Sequence, residues 1–247
     1  MKIGNVDLSR KALAQAMDFS SLNPHVSEAE ILECCAIARS YQFKGFHTNP
    51  VWMSLVAHEL EGTGIETACL VSFPFGTSVT EIKVAEAKHG ARLLRGKPWV
   101  IDMVTSIGKL RSKDFSYYKN DIAEVAKVAH DGGAECKAIL EVGLLNDEEL
   151  RIACELAVEA GADWVKSSTG REKGPTLDQV RKMRLLVPPH IKVKVAGTGS
   201  FWTPMVALGC MLAGAERIGT RNAPWIVDEL SKTFAEMVAA EPEHAQV

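Results

Sequence analysis

The feature that most constrains this chain is its rhythm. Short β-rich apolar runs alternate with helix-type patterns at a spacing of roughly 25 to 30 residues. The strand candidates are residues 15–18, 45–48, 66–73, 99–104, 136–141, 164–167, 191–196 and 217–219, eight in all. Between them, "SEAE" from Ser27, "SVTE" from Ser78, "NDEE" from Asn146 and "TLDQ" from Thr176 have the form of a capping box at a helix start. "NPVW" places Asn49 at an N-cap and Pro50 at the first helical position. The exits repeat too: "HDGGAECKAI", "EAGADWVKSS" and "LAGAERIGTR" each close a helix on glycine and re-enter a strand. Eight such units with apolar strands predict a single-domain α/β chain folded as a (β/α)8 TIM barrel. A doubly wound open sheet is the alternative. It would want a glycine-rich nucleotide loop after the first strand, and "DFSSLNPH" is not one.

Composition narrows the partners. The formal net charge of -3, with basic residues scattered, carries no footprint for nucleic acid. The densest basic cluster, "KLRSKDFSYYK", reads as a solvated loop and helix start. No apolar run approaches a membrane span, and the N-terminus has no signal-peptide pattern. Six cysteines without a CxxC pair read as buried thiols of a cytoplasmic protein. No linker divides residues 1–247, and a polar tail begins at about 240.

In a barrel of this kind the reacting groups collect at the C-terminal ends of the strands. The polar residues that end apolar runs are Asp18, His47, Asp102, Glu141, Lys166 and Lys194. Lys166 in "WVKSSTG" either pairs with a carboxylate as structure or carries a negotiable charge. Adjacent strands would bring Lys194 beside it, and a second ammonium together with burial lowers a lysine's pKa. A lysine neutral at working pH attacks carbonyls and forms Schiff bases. Asp102 between two lysines reads as a proton carrier. Glu141 has two readings, a catalytic one and a charge partner for Lys137 or Lys192. Asp18 is open in the same way, and His47 reads as a packing or substrate-contact residue. Metal-ligand patterns are absent, so neither metal nor cofactor is expected. Gly170 with Arg171, "AGTGS" with Gly197 and Thr198, and "GTRN" with Gly219, Arg221 and Asn222 follow late strands. Backbone N–H groups of such loops bind phosphate.

The segments "DFSSLNPHVSEAEI", "FPFGTSVTEIKVAEAK", "VIDMVTSIGKL", "CKAILEVGLLNDEE", "AGADWVKSSTG", "VKVAGTGS" and "ERIGT" stand in the order and spacing of the deoxyribose-phosphate aldolases. The resemblance runs from about Asp18 to Gly219. It implies a metal-free class I aldolase that reversibly cleaves 2-deoxyribose 5-phosphate to glyceraldehyde 3-phosphate and acetaldehyde. By the resemblance Lys166 is the Schiff-base lysine, Lys194 the second lysine that perturbs it, and Asp102 a proton shuttle. Asp18 lies near the substrate hydroxyls and Arg171 near the phosphate. A homodimer is implied in the same way. The chain departs from the family at His47, where a cysteine is frequent, and at Thr198, Ser200, Arg221 and Asn222 around the expected phosphate. Lys192, where the family tends to have glycine, adds a third inward lysine to the expectation. A different hydroxyaldehyde or ketose phosphate is therefore the alternative substrate.

Overall fold

The structure, a computed structural model, describes residues 2–197 and 199–239. Eight parallel strands close into a barrel: β3 (Met17–Ser21), β4 (Gly45–Thr48), β5 (Glu66–Val71), β6 (Trp99–Val104), β7 (Glu135–Ile139), β8 (Trp164–Lys166), β9 (Lys192–Ala196) and β10 (Arg217–Thr220). The predicted fold class is the observed one. A small antiparallel hairpin, β1 (Lys2–Ile3) with β2 (Val6–Asp7), and the helix α1 (Arg10–Gln15) precede it. The sequence reading missed the hairpin, whose two-residue strands are too short to leave an apolar alternation.

The outer ring is α2 (Glu28–Tyr41), α3 (Met53–Glu59), α4 (Thr80–Leu93), α5 (Ile107–Arg111), α6 (Phe115–Asp131), α7 (Asp147–Glu159), α8 (Leu177–Leu186), α9 (Pro204–Leu212) and α10 (Ala223–Ala239). Capping boxes form at Ser27, Asn146 and Thr176 as expected. The expectation at Ser78 fails: Val79 is the N-cap of α4 and no side chain caps it. Ser78 instead donates its N–H to Ser72 Oγ, and Thr80 bonds Asp121. Asn49 precedes a 3-10 turn, Pro50–Trp52, without capping it, and donates its side chain to the Asn23 carbonyl. Gly133, Gly161 and Gly214 take the positive φ that the helix exits require.

Alternation along the strands sorts side chains into two compartments. Cys69, Val71, Ile101, Met103, Cys136, Ala138, Val165 and Val193 pack outward against the helices. Met17, Phe19, Phe46, Val195 and Ile218 do the same on the other side of the barrel. This dry layer carries the hydrophobic stabilisation, at about 25 cal/mol per Å2 of apolar surface buried. The alternate residues point into the barrel. Ala68, Leu70 and Val100 form a small apolar cluster there. The rest of the lumen holds Asp18, His47, Asp102, Lys137, Lys166, Lys194 and Arg217, all buried. Charges out of water cost several kcal/mol each unless paired, so this interior is built for chemistry at the expense of stability.

Candidate active site

Strand register assembles the charged group. Lys166 pairs in register with Lys194, Asp102 with Lys137, Asp18 with Gly45 and Gly219, and Arg217 with Lys194. Of the six residues taken as strand ends, only Lys166 is the last residue of its strand. Asp18 is the second residue of β3, Asp102 the fourth of β6 and Lys194 the third of β9. They lie deeper than the sequence suggested, below the barrel mouth rather than on its rim. Boundary placement explains the error for Asp18, because β3 starts at Met17 and the preceding residues belong to a helix. Asp102 and Lys194 lie inside runs whose ends were read correctly, and only their depth within the strand was misjudged.

Asp102 Oδ2 is the hub. It accepts from Lys166 Nζ at 2.7 Å and from Lys194 Nζ at 2.9 Å. Lys194 Nζ also meets Asp18 Oδ2 at 2.7 Å and His47 Nε2 at 2.9 Å. Lys137 Nζ lies 3.2 Å from Asp18 Oδ2 and 3.8 Å from Asp102 Oδ1. Arg217 closes the array at 2.7 Å from Asp18 Oδ1. Beneath it the Trp164 ring takes Lys137, Lys192 and Arg217 at 5.2, 4.8 and 5.1 Å.

These neighbours divide the lysines by charge. Burial pushes the Lys166 pKa down to about 8, and the Lys194 and Lys137 ammonium groups add to the shift against the pull of Asp102. Burial also disfavours the Lys194 ammonium, but Asp102 and Asp18 outweigh it and hold that pKa above the ordinary lysine value. Burial lowers Lys137 as well. Burial works against both carboxylates, yet the surrounding cations keep Asp18 and Asp102 well below the usual range. Burial, helped by Lys194, drives His47 down to about 4 and keeps it a neutral imidazole near neutral pH. The result is one amine that releases its proton near neutrality, beside one that keeps it.

A cleft opens from Lys166 and Lys194 to the surface. Asp18, His47, Gly170, Arg171, Gly197, Gly219 and Arg221 line it, so seven of the nine expected substrate-end residues meet there. Its empty volume is about 790 Å3, open solvent included. Arg171 is tied back to the Leu22 carbonyl. Asn222 is not among the lining residues, and its N–H donates to Thr220 Oγ1 at 3.0 Å. Thr198 lies outside the described residues. Lys192 is not a third lysine at the site: it sits at the opposite end of the barrel and pairs with Glu135 at 2.5 Å. The third lysine is Lys137, which sequence reasoning noticed only as a partner for Glu141. Its signal was its place in "ECKAI", on the lumen face of a buried strand. Glu141 instead accepts the Thr169 N–H at 3.1 Å. Among the described residues no group of three or more His, Cys, Asp or Glu is arranged to hold a metal ion.

Over 224 residues the chain is 42% identical to the deoxyribose-phosphate aldolase of Thermococcus kodakarensis, which covers 90% of this chain and 98% of that protein. This chain belongs to the deoxyribose-phosphate aldolase family. The Bacillus subtilis deoxyribose-phosphate aldolase is 40% identical over 220 residues, 87% of this chain and 95% of its own length. The solved deoxyribose phosphate aldolase of Aeropyrum pernix, described as tetrameric, superposes with a TM-score of 0.83 at 26% identity, covering 93% of this chain and 95% of that one. No protein-family model matches the chain. Family membership makes the chain an aldolase, a lyase on a TIM barrel. Among the described residues of this deoxyribose-phosphate aldolase family member, no helix is long and apolar enough to cross a membrane.

Proposed function

We propose that this chain reversibly cleaves 2-deoxy-D-ribose 5-phosphate to D-glyceraldehyde 3-phosphate and acetaldehyde, without a metal or cofactor, through a Schiff base on Lys166. The observation that carries this reading is the buried Lys166 amine, its pKa near 8, at the floor of the cleft and 2.7 Å from Asp102. An amine in that condition is available as a nucleophile close to neutral pH. It adds to the aldehyde carbon, and the carbinolamine hydroxyl leaves as water when Lys194 supplies a proton. Asp102 and Asp18 stay ionised, so they accept hydrogen bonds and hold Lys194 charged between them. In cleavage, a base takes the proton of the substrate's 3-hydroxyl, directly or through water. The bond between C2 and C3 breaks, and its electron pair flows into the iminium to leave an enamine. Glyceraldehyde 3-phosphate departs, C2 takes up a proton, and water releases acetaldehyde and the free amine.

The far end of the cleft supplies an anion site. The loops at Gly170, Gly197 and Gly219, with Arg171 and Arg221, would receive the phosphate. The enzyme would act in the cytoplasm as a homo-oligomer, with the dimer as the simplest form. Purified protein dialysed against a chelator should release acetaldehyde from 2-deoxyribose 5-phosphate, and Lys166→Met should lose at least about a thousandfold in kcat. Turnover that needs an added metal, or that survives Lys166→Met, contradicts the proposal.

A further inference from the structure

Glu141 stands just beyond the end of β7 in a left-handed backbone conformation, φ 53° and ψ 56°. For an L-residue other than Asn or Asp this costs about 1 kcal/mol or more, and a glycine would hold the same turn without strain. Its side chain is 2% exposed and does not line the cleft. Oε2 accepts the Thr169 N–H at 3.1 Å, while Oε1 is buried with no hydrogen-bond partner among the described residues.

The backbone on either side is already stitched to the strand that carries Lys166. The Leu140 N–H donates to the Lys166 carbonyl at 2.9 Å, and the Val142 N–H to the Ser167 carbonyl at 2.8 Å. The left-handed residue turns its carboxylate toward the next segment, two residues farther on. There Thr169 Oγ1 takes the Arg171 N–H at 3.1 Å, and Thr169, Gly170 and Arg171 all line the cleft. The hydroxyls of Ser167 and Ser168 both donate to the Ala196 carbonyl. Lys166, Ser167, Ser168, Thr169 and Arg171 are thus each anchored, and Glu141 holds the step between the serines and the glycine. Burial raises its carboxyl pKa, a cost that the Thr169 bonds and the Lys166 charge only partly offset.

We propose that Glu141 is a positioning residue: through the Thr169 amide it sets the distance between the Lys166 amine and the anion-binding end of the cleft. This rests on the reading of Lys166 as the Schiff-base lysine. It accounts for a strained, buried carboxylate where backbone geometry alone asks for glycine.

The test compares wild type, Glu141→Gly and Glu141→Gln, with melting curves to confirm folding. Glycine suits the left-handed backbone and removes the whole side chain, carboxylate included; glutamine keeps the side chain and an oxygen for the Thr169 amide. Glu141→Gly should raise KM for 2-deoxyribose 5-phosphate about tenfold, the loss of one charge-assisted hydrogen bond. Borohydride trapping of acetaldehyde on Lys166 should stay within about threefold of wild type, since acetaldehyde has no phosphate to position. Glu141→Gln should stay within about threefold on both readouts. Amide exchange of the peptide spanning 166–171 should speed up in the glycine variant and not in the glutamine variant. Should Glu141→Gly fail to fold, Glu141→Asp, too short to reach Thr169, gives the same readouts. Unchanged KM and unchanged exchange without the carboxylate overturn the proposal. So does loss of trapping in Glu141→Gln, which would make the carboxylate a proton carrier. If wild type itself is not trapped at Lys166, the Schiff-base reading falls. The exchange measurement still decides whether Glu141 holds Thr169.

Discussion

Lys166 sits between opposing influences: burial and two neighbouring ammonium groups favour its neutral amine, and Asp102 favours the cation. With a pKa near 8, about a tenth of the amine is free at pH 7, so kcat/KM should climb with pH and level off above about 8. A flat profile from pH 6 to 9 would contradict the assignment. Stability follows the same proton with a definite sign. The unfolded lysine holds its proton up to about 10.5, and the native one releases it near 8. Across that window the unfolded state binds more protons, so unfolding free energy should rise with pH, by something of the order of 3 kcal/mol. Denaturant melts of wild type against Lys166→Met measure it, and the variant should lack this rise. The pair Lys166 and Lys194 was legible because both are lysines set among apolar residues of neighbouring strands. The sequence could not reveal which of them stays charged. That depends on Asp18 and Asp102 arriving from other strands to clamp Lys194. Glu141 was legible as polar and buried, but its partner Thr169 comes from a turn whose path no local pattern encodes.

At the level of elements, strand existence was readable and strand ends were not. The runs at Gly45–Thr48 and Trp99–Val104 have the predicted bounds, whereas β3 and β7 are displaced by one or more residues at their ends. Those small shifts moved Asp18 and Glu141 by a layer. Side-chain size matters as much as register. A Cβ at Gly45 would fall 2.7 Å from Asp18 Oδ1, the oxygen that holds Arg217. Gly45→Ala should therefore displace Asp18 and cost about 1–3 kcal/mol, with a matching loss of activity. A melt and a turnover rate within error of wild type would show that the space is not needed. The cap at Ser27 belongs to this scale too. Ser27→Ala removes one half of a formed capping box and should cost about 1 kcal/mol, whereas Ser78→Ala, which caps nothing in α4, should leave that helix end unchanged.

Across the whole molecule, an apolar shell between strands and helices encloses a lumen of paired charges. The shell was legible as alternation and the barrel as a repeat, because both are short-range in sequence. The charge pairing was not, since it joins Asp18 to Lys137 across 119 positions and to Arg217 across 199. The substrate end lies at the rim of the same lumen. Arg221→Ser should raise KM for 2-deoxyribose 5-phosphate about tenfold and leave kcat nearly unchanged, and an unphosphorylated substrate should not notice the change. Equal effects on both substrates would place the phosphate elsewhere. The most direct measurement of the central claim is borohydride reduction of the protein with acetaldehyde, followed by peptide mapping. A two-carbon adduct on Lys166, lost in Lys166→Met, is the expected result. No adduct at saturating acetaldehyde, or one that maps to Lys194 or Lys137, would contradict it.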